Sequence, residues 1–171
     1  MSSAITLFSS SRRNGNTGTL INLVAHKTGM EVIDLDKANI SPFDYEHKNK
    51  GDDFLPLMEK VLTYENIIFA SPVYWYAVSP AMKIFLDRIS DLLTFPDLLD
   101  MGRKLREKNG YIVSTSISQE ISPIFIGAFV KTFDYLGMNY GGFLHMNCED
   151  GLNLEKSQDE IVSFSNTIRG R

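Results

Sequence analysis

The sequence predicts an α/β domain built on a mainly parallel sheet, and three observations predict it. Short apolar runs rich in strand formers alternate with helix-period segments five times along the chain. The run Asn66–Ala70, Asn-Ile-Ile-Phe-Ala, is almost continuously apolar, as in strands covered on both faces. The 171 residues are 43% hydrophobic and 22% charged, a globular composition. A chain of this length buries about 70% of its extended surface, enough for one full core and a single domain over 1–171.

The elements follow in order. Ala4–Phe8 is the first strand. Asn16 or Thr17 caps the next helix, Leu20, Leu23 and Val24 mark its apolar face, and Gly29 stops it. Glu31–Leu35 is the second strand, and 36–51 is polar and irregular. Asp52–Tyr64 reads as a helix with Asp52-Asp53 in its cap and first turn and Leu55, Met58 and Leu62 on one side. After the third strand, Ser79-Pro80 opens a helix with a capping hydroxyl and a proline at the first helical position. Met82, Phe85, Ile89 and Leu92 form its buried stripe. Gly110–Thr115 is the fourth strand. Ser122-Pro123 repeats the start signal, and Gly137 ends that helix. The helix is apolar almost all round, through Ile124, Phe125, Ile126, Phe129, Val130, Phe133 and Tyr135. Such a helix is deeply buried or meets another subunit, and a partner chain is the expectation, with Ile126 outward. Asn139–Met146 is the fifth strand, and Asn153 opens a last helix with Ile161, Phe164 and Ile168 aligned.

Charge and cysteine content exclude several classes. Lys plus Arg number 17 and Asp plus Glu 21, a net charge of −4 with no basic block. That leaves no electrostatic footprint for nucleic acid or an anionic membrane. No apolar run approaches the ~20 residues of a membrane span, and the start reads as a first strand rather than a signal peptide. Cys148 is alone, so no intrachain disulfide forms and a reducing, cytoplasmic location is expected. His26, His47 and His145 lack metal-ligand spacing, so no metal is expected. His145, Cys148, Glu149 and Asp150 read as a strand end and turn. A phosphatase of this topology needs a cysteine in the first loop, and a phospho-receiver domain needs acidic residues there. Serines stand in both places.

In open parallel sheets ligands lie outside the carboxyl ends of the strands, which directs attention to three loops. The first, Ser9 to Gly18, is dense in hydroxyls and backbone donors and runs into a helix N-terminus, a natural anion site. Arg12 or Arg13 can add a forked donor pair. The Gly-Lys-Ser/Thr ending of a P-loop and the three spaced glycines of a dinucleotide fold are both absent. A capped polar turn that binds nothing fits this segment equally well. The second loop places Tyr74, Trp75 and Tyr76 consecutively after the third strand. These rings either wall a flat heterocycle or cover the sheet end and a partner chain.

The two loops together carry a resemblance. Ser9-Ser10-Ser11-Arg12-Arg13-Asn14-Gly15-Asn16-Thr17 is similar to the Gly-Ser-Pro-Arg-x-x-Gly-Asn-Thr loop of the flavodoxin-like NAD(P)H-dependent FMN reductases, in the branch related to the iron–sulfur flavoproteins. Ser71-Pro72-Val73-Tyr74, Trp75, Ser79, Lys83, Phe85, Asp87 and Arg88 match that branch's second motif. Leu136-Gly137-Met138 and Tyr140 resemble the approach to its last strand, and the likeness spans residues 4 to about 146. It implies a flavodoxin-like three-layer sandwich with a five-stranded parallel sheet of order 2-1-3-4-5. It also implies FMN as cofactor, with NADPH or NADH as electron donor. Ser9, Ser10, Ser11, Arg12, Asn16 and Thr17 would hold the phosphate. Pro72, Val73, Tyr74 and Trp75 would line the ring, joined by Thr115 and Ser116 from the third loop. Asp87 and Arg88 would be structural, and Lys83 a solvated residue. Ser9 and Ser11 replace the family's glycine and proline, and the third loop, Ser114 to Gln119, lacks the usual glycines. No cysteines lie between Leu35 and Phe54, so the iron–sulfur cluster does not carry over.

The expected activity is ping-pong hydride transfer through FMN to a small acceptor: a quinone, a nitro or azo compound, or free flavin. The alternative is a flavodoxin-type electron carrier. No side chain is required as acid or base. Backbone N–H groups around Val73 to Trp75 and in the Thr115 loop are expected to stabilise the anionic reduced ring. A homodimer or higher homo-oligomer is expected, with the flavin near the interface.

Overall fold

The computed structural model describes residues 3–170. Five parallel strands form one sheet of order β2-β1-β3-β4-β5. They are β1 (Ala4–Phe8), β2 (Glu31–Asp34), β3 (Asn66–Ala70), β4 (Asn109–Ser116) and β5 (Asn139–Asn147). The helices are α1 (Asn16–Thr28), α2 (Phe54–Val61), α3 (Pro80–Arg88), α4 (Asp91–Thr94), α5 (Leu99–Arg103), α6 (Pro123–Leu136) and α7 (Leu154–Ile168). One core lies under α2, α3 and α6, built from Phe54, Met58, Phe85, Phe129 and Phe133 against Ile5, Leu7, Ile67 and Ile112. The other lies under α1 and α7, from Leu20, Val24, Ile161 and Phe164 against Phe8, Ile68 and Val113. Alternate residues of each inner strand feed opposite cores, which is why those strands read as continuous apolar runs. The result is the three-layer sandwich and strand order expected. No helix among the described residues is long and apolar enough to cross a membrane.

Most stop signals act as read. Gly29 and Gly137 take left-handed φ of 74° and close α1 and α6. Asn153 accepts the Lys156 amide, and Ser122 accepts that of Ile124. Several expectations need correction. The cap of α1 is Gly15, not Asn16 or Thr17, which lie inside the first turn. β2 ends at Asp34, because Leu35 begins a 3₁₀ turn held by the Asp34 carboxylate. The second helix is Phe54–Val61, shorter than 52–64, because Asp52 and Asp53 pin the preceding loop instead of extending the helix. Asp52 accepts the Ser41 amide at 2.8 Å, and Asp53 accepts that of Asn39 at 2.7 Å. Its buried face is Phe54, Leu57, Met58 and Val61, with Leu55 only partly covered. Ile89 and Leu92 are buried as expected but lie beyond α3, in a turn and in α4. On α6, Ile126 packs partly against the core. Ile124 and Tyr135 are the outward residues, 70% and 81% exposed.

Arg88 anchors the long 36–51 loop. It is fully buried, donates to Asp91 at 2.8 Å and to the Ser41 carbonyl at 3.0 Å, and pairs with Asp52. Its guanidinium lies 4.7 Å from the Phe54 ring centre. Asp87 stays exposed and pairs with Lys83.

Candidate functional site

β1 lies between β2 and β3, so the chain leaves its carboxyl end in one direction and that of β3 in the other. A crevice opens between the two departing loops. Buried hydroxyls knit its base together. Ser79 Oγ donates to Ser9 Oγ at 2.8 Å, and the Ser79 amide donates to Ser71 Oγ at 2.9 Å. All three serines are fully buried. Ser9 therefore lies beneath the first loop, with its hydroxyl committed to the scaffold.

Above that base the loop turns from Ser10 into α1. The Gly15 amide closes the turn onto the Arg12 carbonyl at 2.9 Å. Gly18 is required here, since a Cβ would stand 1.8 Å from the Arg13 carbonyl oxygen. The amides of Asn16, Thr17 and Gly18 have no hydrogen-bond acceptor, as at any helix start without a side-chain cap. They and the dipole end of α1 face the loop. The two arginines differ. Arg13 pairs with Asp34, whereas Arg12 is exposed and makes no ion pair. Ser10 Oγ donates to the Arg12 carbonyl at 3.2 Å, and its amide donates to Asp36 at 2.9 Å. The Thr17 hydroxyl is buried against Thr115 Oγ1 at 2.7 Å, leaving Thr17 only its amide to offer.

The aromatic loop after β3 is a tight turn. Tyr74 N–H donates to the Ala77 carbonyl at 2.9 Å, and Ala77 N–H returns to Tyr74 at 3.0 Å. Trp75 and Tyr76 both take left-handed φ, 49° and 63°. That is the type I′ pattern normally filled by Asn-Gly or Gly-Gly. The turn lifts Trp75 into solvent, 94% exposed, and Tyr76 with it. Tyr74 folds back, its hydroxyl accepting the Ser11 amide at 3.2 Å. Burial would raise the Tyr74 phenol, but hydrogen bonds with Ser11 and Ser10 outweigh it and hold its pKa below the ordinary value. The Val73 and Tyr74 amides are thus spent on the Thr115 and Ala77 carbonyls. Contrary to expectation, only Trp75 in that trio keeps a free N–H.

A cleft of about 420 Å³ lies between the aromatic turn and the loop after β4. Asn16, Pro72, Val73, Trp75, Thr115 and Ser116 line it, so the structure brings most of the expected ring-binding residues and the start of α1 to one space, whereas Tyr74, folded back onto Ser11, is not on its wall. Its size falls within the range of cofactor sites. The free amides and the unpaired Arg12 suit a phosphate, and the flat aromatic wall suits a ring. Tyr76, one of the three rings the sequence offered, is also on the cleft wall, and sequence reasoning missed Ile117, Ser118, Ser122 and Cys148 there. Cys148 arrives because β5 is the neighbour of β4, and its amide donates to the Ser116 carbonyl at 2.7 Å. Burial pushes its thiol pKa up, so it is a weak nucleophile. Asp34 and Asp36 were also missed. The only signal for them is their position at the end of β2, next to the first loop.

Comparisons with known proteins agree with this geometry. The chain is 30% identical over 141 residues to the NAD(P)H-dependent FMN-containing oxidoreductase YwqN of Bacillus subtilis strain 168, covering 78% of each protein. Among solved structures it superposes on the Trp repressor binding protein of Bacillus subtilis with a TM-score of 0.72 and 21% identity, covering 96% of this chain and 97% of that one. An FMN-dependent NADH-azoreductase of Bacillus anthracis, solved with FMN, gives a TM-score of 0.70 at 9% identity and 98% coverage of both chains. At those identities the two structures speak for the fold alone. The sequence pattern of the NADPH-dependent FMN reductases matches residues 3–141, and with it the chain belongs to that family, whose members work with FMN and a reduced nicotinamide.

Proposed function

We propose that the protein accepts hydride from NADH or NADPH onto bound FMN and passes the electrons to a small acceptor, a quinone, a nitro or azo compound or free flavin, in a ping-pong cycle. One observation carries the site assignment. A helix start with three free amides, with Asn16 on the wall of an aromatic-walled cleft and the unpaired Arg12 in the loop that leads into the helix, supports the reading. When bound, FMN supplies the hydride and electron chemistry, and the protein supplies position and electrostatics.

The chain's own groups divide the task. The amides of Asn16, Thr17 and Gly18, with Arg12 and the Ser11 hydroxyl, hold the phosphate, and Ser10 joins them by turning its hydroxyl away from the Arg12 carbonyl. Pro72, Val73 and Trp75 wall the ring, with Thr115 and Ser116 opposite, and Tyr74 braces the phosphate loop through the Ser11 amide. The buried serine network and the Thr17–Thr115 bond fix the loops relative to one another, so little ordering remains to be done on binding. The free Trp75 amide is the backbone donor available to a ring that gains negative charge. Anaerobic mixing with NADPH or NADH tests the reading: the flavin absorbance should bleach and return on adding a quinone. A flavin that stays oxidised with nicotinamide but is reduced by a partner protein would make the chain a carrier instead.

A homodimer follows from the rim of the cleft. Trp75, Tyr76, Ile117 and Ile124 are all exposed there or on the adjoining start of α6, an apolar surface suited to a second copy. Sedimentation at micromolar concentration should show a dimer that Ile124→Lys weakens without unfolding the chain. A monomer would remove the dimer from the proposal. A cytoplasmic location fits the single cysteine, which is buried and unpaired.

A further inference from the structure

The direction of one hydroxyl proton in the cleft depends on a residue outside it. Ser116 ends β4 and lines the cleft. Its Oγ accepts the Ser118 amide at 3.1 Å and lies 2.8 Å from His145 Nε2. His145 stands on β5 and lines a separate groove of about 910 Å³, whose wall does not include Ser116. The Ser116–His145 hydrogen bond therefore joins two solvent-filled spaces.

A serine hydroxyl has one hydrogen and two acceptor sites. The Ser118 amide occupies one acceptor site. In the neutral ring with its proton on Nδ1, Nε2 presents its lone pair, and Ser116 donates to the imidazole and offers the cleft no hydrogen. If the ring is an imidazolium, Nε2–H fills the second acceptor site, and the serine hydrogen must point elsewhere. The remaining open direction is the cleft.

We propose that His145 is a positioning residue: when protonated, it turns the Ser116 hydroxyl into the cleft as a donor to the polar edge of the ring bound there. The inference rests on the flavin reading of the cleft. Burial pushes the pKa of His145 below the ordinary histidine value. Across β4 its register neighbour is the neutral Ser114. On α6, residues 123–130 carry no titratable side chain. The groove wall also carries Asp150, Glu155 and Glu160 against Lys156. In the Nδ1–H tautomer, which the proposal assigns to the neutral ring, the donor is off in the empty protein at neutral pH and is drawn on by an acceptor in the cleft, most strongly one carrying negative charge.

The test uses riboflavin, which has the ring without the phosphate. The second ionisation of a phosphate monoester, near pH 6, favours FMN binding at higher pH and would mask the effect. Riboflavin and FMN affinities are measured by fluorescence from about pH 5 to 8 in the wild type, Ser116→Ala and His145→Gln. The wild type should bind riboflavin about three- to tenfold more tightly as pH falls through the histidine titration, the worth of one hydrogen bond. Both variants should give flat profiles, with thermal midpoints showing that they are folded. In NMR of the wild type, riboflavin should raise the His145 titration midpoint, and in Ser116→Ala it should not. If a variant does not fold, the wild-type titration and NMR shift decide the matter alone. FMN binding with a flat or inverted wild-type riboflavin profile overturns the role of His145 and leaves the flavin site standing. Absence of FMN binding at every pH overturns the flavin site and the proposal with it.

Discussion

The two arginines of the first loop offer the sharpest separation between a phosphate cradle and a polar turn. Arg12 is exposed and makes no ion pair, whereas Arg13 is held by Asp34, whose side chain is only 9% exposed. A hydrogen bond to a charged group contributes about 1.5–3 kcal/mol. Solvent screening of an exposed guanidinium reduces that to about 1–2 kcal/mol. Arg12→Ala should therefore weaken FMN binding about five- to thirtyfold. Riboflavin lacks the anion, so its affinity should not change. Arg13→Ala removes a charge already neutralised by its neighbour, and its effect on FMN should stay within about threefold. In the wild type, FMN should exceed riboflavin by at least about a hundredfold, because the helix start adds its amides and dipole to Arg12. Titration by flavin fluorescence at about 0.01 M and 1 M salt completes the assay. The screening length falls from ~30 Å to ~3 Å over that range, so the Arg12 effect should shrink. Equal losses from both arginines, or equal affinity for FMN and riboflavin, would refute the assignment of the cradle.

Two further predictions concern the scaffold. Asp52 pairs with the fully buried Arg88, and Asp52→Asn leaves that charge with Asp91 alone. The loss should be about 3 kcal/mol in urea denaturation at neutral pH. Burial opposes the Asp52 carboxylate, but the Arg88 hydrogen bond and the Ser41 and Phe54 amides hold its pKa below the usual value. Its contribution is complete above the ordinary aspartate pKa and lost as pH falls through the lower folded value, so wild type and variant should converge in acid. Trp75→Gly tests the aromatic turn. Glycine escapes the ~1–2 kcal/mol cost of a left-handed residue, against ~0.5–1 kcal/mol of added unfolded-chain entropy. The empty protein should thus be no less stable. Riboflavin affinity should fall about three- to tenfold as the ring contact is lost. Lower stability with unchanged riboflavin binding would make Trp75 a packing residue.

The sheet was legible because burial on both faces leaves a direct mark: Ile67, Ile68 and Phe69 alternate between two cores and must all be apolar. The helix stops were legible because left-handed caps demand Gly29 and Gly137. The ends of α2 were not, because Asp52 and Asp53 look like cap residues while serving a loop and a buried arginine far off in sequence. Composition and spacing left the two arginines equivalent, and only the resemblance singled out Arg12, since the difference between them is Asp34, a residue on another strand. Cys148 reaches the cleft through the pairing of β4 with β5, and no local pattern records that.

The aromatic turn shows why such failures gather at the site. Local preference would place glycine or asparagine where Trp75 and Tyr76 take positive φ. Two bulky residues persist there only if the structure around them over-determines the conformation. It does: the reciprocal Tyr74–Ala77 hydrogen bonds close the turn, the Val73 amide ties one arm to Thr115, and Ser79 ties the other to Ser9. The strained turn is thereby bolted to β1 and β4, the same strands that carry the phosphate loop and the cleft floor. An exposed indole adds little to the stability of an empty protein, so under the proposed function a ring in the cleft, or a second copy over its rim, would offset the strain. The disagreement between local preference and observed backbone at Trp75 therefore supports the binding role of the turn over a role in covering the end of the sheet.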